Sequence, residues 1–144
     1  MLEAAINAFL DSNQFFVALN LAAVAEELYG RIISLNGAMN SQTSLIRLAR
    51  DIARIEGAGE LKDGDLTEVS VMYKNAIKHL DTREQRLIEI DVEDEARSTI
   101  GCALTNHAKL NRQFTPTVQR FYDFGRFWAQ EHLRGDIDHP PIAK

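Results

Sequence analysis

The sequence predicts an all-α protein, a compact bundle of about six helices. Apolar residues recur at spacings of three and four through one segment after another, with no alternating stretch of useful length. Pro and Gly number only three and eight in 144 residues, too few for a loop-rich or all-β chain. Helix-capping residues stand between the periodic segments. A chain of this length forms one domain and buries about two-thirds of its unfolded surface. Residues 1–135 read as that domain, and residues 136–144, with Pro140-Pro141, as a polar tail.

A short first helix is expected from about Leu2 to Leu10, turning Leu2, Ile6, Phe9 and Leu10 inward. Asp11 and Gln14 have capping-box spacing and should open the second helix. That helix runs to about Leu35, where Asn36-Gly37 supplies a left-handed stop. It is apolar nearly all round: Phe15, Phe16, Leu19, Ala22, Ala23 and Ile33 on one side, Leu21, Val24, Leu28, Ile32 and Leu35 on the other. Such a helix is central or lies between two partners. The third, from near Ser41 to near Glu56, should bury Leu45, Leu48, Ile52 and Ile55 and wet Arg47, Arg50, Asp51 and Arg54.

A Gly-rich loop from Gly57 to Gly64 precedes Asp65 and Glu68, a second capping box opening a helix to about Leu80. Asp91 caps the next, with Glu93, Asp94 and Glu95 in its first turn complementing the helix dipole. Its inward residues are Val92, Ala96, Ile100, Ala103, Leu104 and Leu110, and it should end near Arg112. Thr115-Pro116 pairs a cap with Pro at the first helical position. The last helix carries Val118, Phe121, Tyr122, Phe124, Gly125, Trp128 and Leu133 to Arg134-Gly135. The surplus of apolar surface on the second and last helices predicts a homodimer.

Net charge is −5, from 16 basic and 21 acidic residues, the opposite sign to proteins that grip nucleic acid through phosphates. A local basic patch on an acidic body remains compatible with it. No apolar run reaches the roughly 20 residues of a membrane span, Met1-Leu2-Glu3 lacks a basic leader, and Cys102 is the one cysteine. A cytoplasmic protein without membrane association is the expectation.

One stretch has the look of chemistry. In Lys74-Asn75-Ala76-Ile77-Lys78-His79, Asn75 and His79 lie four apart and share a helical ridge away from the Leu66, Tyr73 and Leu80 stripe. A histidine there can move a proton to or from a ribose hydroxyl. An adjacent amide can orient it, and the cations Lys74 and Lys78 can hold phosphate oxygens. The plainer reading makes Asn75, Lys78 and His79 a solvated face, with His79 capping or paired to Asp81.

The stretch resembles the Arg-Asn-x-x-x-His signature of the HEPN superfamily of small helical proteins, with Lys74 in place of Arg. Ala25-Glu26-Glu27-Leu28-Tyr29-Gly30, taken with Asn75-x-x-Lys78-His79-x-Asp81, is also similar to a family of small bacterial helical proteins. These matches touch residues 15–35 and 72–81. The resemblance implies an HEPN-like fold, a homodimer with the motif in a cleft between subunits, and RNA cleavage without a metal. It implies His79, Asn75 and Lys74 as catalytic residues, Lys78 on phosphate, and an acid, Glu26, facing the motif helix. Lys74 keeps the charge of Arg but loses the planar fork that binds phosphate bidentately. It also lies about 140° round the helix from His79.

Glu26 has no local cation and is the candidate for a tertiary contact to Lys74, Lys78 or His79. Glu27 has Arg31 one turn on. The chain has no Glu-x-x-His pair, its other histidines, His107, His132 and His139, lack ligand spacing, and Cys102 reads as a core residue, so no metal or cofactor is expected. The aromatic group Phe114, Phe121, Tyr122, Phe124, Phe127 and Trp128 has the spacing of core or interface. Two functions stay open: an RNA- or nucleotide-phosphate-binding protein, a candidate for metal-independent ribonuclease activity, and a non-catalytic homodimeric interaction or regulatory module with a protein partner.

Overall fold

The computed structural model describes residues 1–57 and 91–134. Among them it is all-helical: α1 (Leu2–Leu10), α2 (Phe15–Leu35), α3 (Ser41–Ile55), α4 (Val92–Lys109) and α5 (Pro116–Arg134). The helix expected from Asp65 to Leu80 and the tail from residue 136 lie outside the described residues.

The helix ends follow local chemistry. At the close of α2, Gly37 adopts φ 73°, its N–H bonds the Ser34 carbonyl, and the Ala38 N–H bonds the Ile33 carbonyl. This is a Schellman stop, and only glycine takes that backbone without strain. Asn40 caps α3 by accepting from the Thr43 N–H, and Asp91 caps α4 by accepting from the N–H groups of Glu93 and Asp94. Thr115 Oγ1 accepts from the Val118 N–H, with Pro116 opening α5.

The capping box expected at Asp11 and Gln14 does not form. α2 starts at Phe15 and its N-cap, Gln14, makes no side-chain cap bond. Two tertiary interactions outcompete the local one. The Asp11 carboxylate takes the Arg120 guanidinium of α5, with Nη2 to Oδ1 at 2.5 Å. The Phe15 ring packs on Phe9 at 5.2 Å between centroids.

The core is made where α1, α2, α4 and α5 meet. Leu2, Ala5, Ile6 and Phe9 of α1, Ala18, Leu19, Ala22 and Ala25 of α2, Ala96, Ile100 and Ala103 of α4, and Val118 and Phe121 of α5 are buried together. The small residues of α2 and α4 let these two backbones pack closely along one another. Phe9 stands edge-on to both Phe121 and Phe124, an arrangement that aligns ring edges with ring faces. On α5, Arg97 of α4 lies 3.5 Å over the Trp128 ring, and His132 stacks on the same ring at 4.1 Å between centroids.

α3 departs from expectation. Leu45, Leu48, Ile52 and Ile55, expected as its buried stripe, are all exposed, and only Ser41 and Ala53 are buried. The helix meets α4 rather than lying in the core. Its apolar periodicity is real, but the surface it answers is not one of the described helices.

Candidate functional site

Buried polar groups gather where α2, α3 and α4 meet. The inward stripe of α4, Ala96, Ile100 and Ala103, continues one turn later onto Asn106 and His107, so the same period that buries apolar residues buries these two. Asn106 is 0% exposed. Its Oδ1 accepts from the Ser41 N–H at 2.7 Å, which points Nδ2 toward α2, 3.4 Å from the Glu26 carbonyl and 3.5 Å from Glu26 Oε1. Glu26 is 5% exposed. Lys109 completes the clamp on α3 by donating to the Met39 carbonyl and to Ser44 Oγ. One amide thus ties the start of α3 to the middle of α2.

His107 lies about 100° further round α4, against Tyr29 of α2. Its Nε2 is 3.2 Å from the Gln113 carbonyl, so Nε2 carries the proton, and the buried Nδ1 has no partner among the described residues. Tyr29 of α2 and Phe114 flank the ring. Beside it opens a pocket of about 510 Å³ between the start of α1, Tyr29, and the loop from α4 to α5. Its walls include Leu2, Val118, Arg112, Glu3 and Thr115.

A third feature is the outer face of α2. At 100° per residue Val17, Val24, Leu28 and Leu35 fall within about 40° of one another. All four are exposed, Leu35 to 87%, and Ile32 lies beside them exposed as well. The inner face of the same helix is core. The flanking charges, Glu27 and Arg31, neutralise each other at 2.8 Å.

Of the residues singled out by sequence, Glu26 is buried against Asn106. Lys74, Asn75, Lys78 and His79 lie outside the described residues. Asn106 and Arg112 carry the geometry just described and were not singled out from sequence, while Tyr29 stood there only within the Ala25–Gly30 stretch and His107 only as a histidine without ligand spacing. The signal for Asn106 and His107 was present, since positions 106 and 107 continue the apolar stripe of α4. Nothing local pointed to Arg112. Among the described residues no three His, Cys, Asp or Glu side chains are placed to share a metal ion, and no helix is long and apolar enough to cross a membrane. The chain matches no protein-family model, no curated protein and no solved structure.

Proposed function

We propose that this chain is an HEPN-like helical bundle acting as a non-catalytic homodimeric interaction module, its two copies meeting along the outer face of α2. The observation that carries the reading is the exposed apolar line Val17, Val24, Leu28 and Leu35 on a helix whose opposite face is core. A specific interface buries at least about 1,000 Å² in total, and this line with Ile32, exposed in each copy, would supply its apolar centre. A straight line of apolar residues on a helix is complementary to itself about a two-fold axis. Light scattering at micromolar concentration tests it. The mass should be twice the 16.2 kDa of the chain. Leu28→Glu or Val24→Lys, both on the solvent side of α2, should give a folded monomer, with the helical circular dichroism retained. A monomeric parent protein overturns the reading.

A second reading is favoured by the sequence Lys74-Asn75-x-x-x-His79. In it the module binds RNA or a nucleotide phosphate. His79 moves the proton of the ribose 2′-hydroxyl, Asn75 orients the reacting group, and Lys74 and Lys78 stabilise the phosphorus, with Glu26 as a supporting acid. The buried carboxylate of Glu26 on the central helix supports this reading. Cleavage should then persist in chelator, follow a pH limb near the ordinary histidine value of about 6.5, disappear in His79→Ala, and hold or rise in Lys74→Arg. Cleavage undiminished in His79→Ala overturns it.

A further inference from the structure

The pocket beside His107 holds polar groups that neither reading uses. We propose that it binds a small organic monoanion with an apolar, flat body, an aromatic carboxylate being the fitting class. Arg112 supplies the head-group contact. Arg31, Arg54, Arg97 and Arg120 each sit on a carboxylate. The Arg112 guanidinium has no carboxylate partner among the described residues, and lies 5.5 Å over the Tyr29 ring on the pocket wall. A guanidinium held over an aromatic face keeps its in-plane N–H fork free, and that fork matches a carboxylate bidentately.

The body of the ligand has a prepared surface. Leu2 and Val118, both buried, give the pocket an apolar floor, and Tyr29 an aromatic side. The His107 ring is immobilised by its bond to the Gln113 carbonyl and by Tyr29 and Phe114, so this wall is formed before any ligand arrives. A volume of about 510 Å³ lies inside the range of about 300–1,000 Å³ usual for small-molecule sites. Glu3 sets the charge. Its carboxylate also lines the pocket and has no cation partner among the described residues, so a second negative charge on the ligand meets repulsion. That selects a monoanion over a phosphate monoester or a polyphosphate.

The test is a nuclear magnetic resonance titration of the full chain with phenylacetate, using acetate and benzyl alcohol as head-only and body-only controls and adenosine monophosphate as the dianion. Phenylacetate should give saturable shifts at Tyr29 and His107 with a dissociation constant of about 1 mM or below. Each control and adenosine monophosphate should bind at least tenfold more weakly. Arg112→Gln, on an exposed loop and checked for an unchanged amide spectrum, should weaken phenylacetate about tenfold. Glu3→Gln should tighten it and narrow the gap to adenosine monophosphate. Absence of saturable shifts up to about 10 mM, or equal binding in Arg112→Gln, overturns the proposal. These outcomes do not depend on oligomeric state or on ribonuclease activity.

Discussion

Replacing Asn106 by alanine removes one amide and disturbs three helices. The Ser41 N–H, bonded at 2.7 Å in a buried position, loses its acceptor. A buried donor left unsatisfied costs about 1–3 kcal/mol. The same change withdraws the Nδ2 donor from the Glu26 carbonyl and carboxylate and leaves a small void in a site of 0% exposure. Together these effects amount to about 3 kcal/mol. For a chain of this size the unfolding entropy is roughly 0.3 kcal/mol per degree, so the melting temperature should fall by about 10 °C. The neighbour Thr105 is the control, since its exposed hydroxyl bonds the Gly101 carbonyl within the same helix. Thr105→Ala should change stability by no more than about 0.5 kcal/mol. Calorimetry gives the melting temperatures, and hydrogen exchange locates the damage. In Asn106→Ala the amides from Ser41 to Ser44 should lose protection before those at the centre of α2. A variant that melts with the parent protein, or one whose exchange rises evenly along the chain, would show that Asn106 does not hold α3 in place.

Three further outcomes are expected. The Asp11 carboxyl is held below its ordinary value of 3.8 chiefly by the hydrogen bond from Arg120, against an opposing desolvation and with a lesser contribution from the charge of that guanidinium. Because the folded-state value is depressed, the stabilisation is complete above the ordinary carboxylate range and is lost as pH falls through the folded value. Asp11→Asn should therefore lower the melting temperature slightly at pH 7 and match the parent protein in strong acid, whereas a gap constant with pH contradicts this. Glu26→Gln should destabilise several times more than Glu27→Gln, whose exposed pair with Arg31 is worth at most about 1 kcal/mol; equal melting temperatures count against a structural role for Glu26. Asp91→Ala, which deprives the N–H groups of Glu93 and Asp94 of their acceptor, should cost about 1 kcal/mol, read by urea unfolding, while Glu93→Ala should cost little.

What the sequence made legible was what local chemistry decides. The Asn36-Gly37 stop, the Asp91 cap and the Thr115-Pro116 start are each settled within a few residues, and each forms as read. Reading failed where distant residues intervened. Asp11 has the right spacing to cap α2, but Arg120, over a hundred positions away, claims its carboxylate. The stripe of α3 has helical period without a partner in the described core, because periodicity tells that a face is apolar and not what covers it. Asn106 is a polar residue in an apolar register, and its partners Ser41 and Glu26 come from two other helices, so its role emerges only once all three are packed. Arg112 follows the same rule, its significance arising from the Tyr29 ring beneath it.

The proposed meeting of two copies along the outer face of α2 is open to intermolecular distance measurement. A spin label at Arg31→Cys in a Cys102→Ser background sits on the flank of the apolar line, where the side chain is exposed. Packed helix axes lie about 8–10 Å apart, so parallel and antiparallel pairings alike should put the two labels within about 30 Å. A label at Gln119→Cys on α5 serves as the comparison and should give a longer distance. A short distance at position 31, abolished by Leu28→Glu, is the predicted result. Absence of any intermolecular coupling at position 31, or a short distance only at position 119, would contradict it.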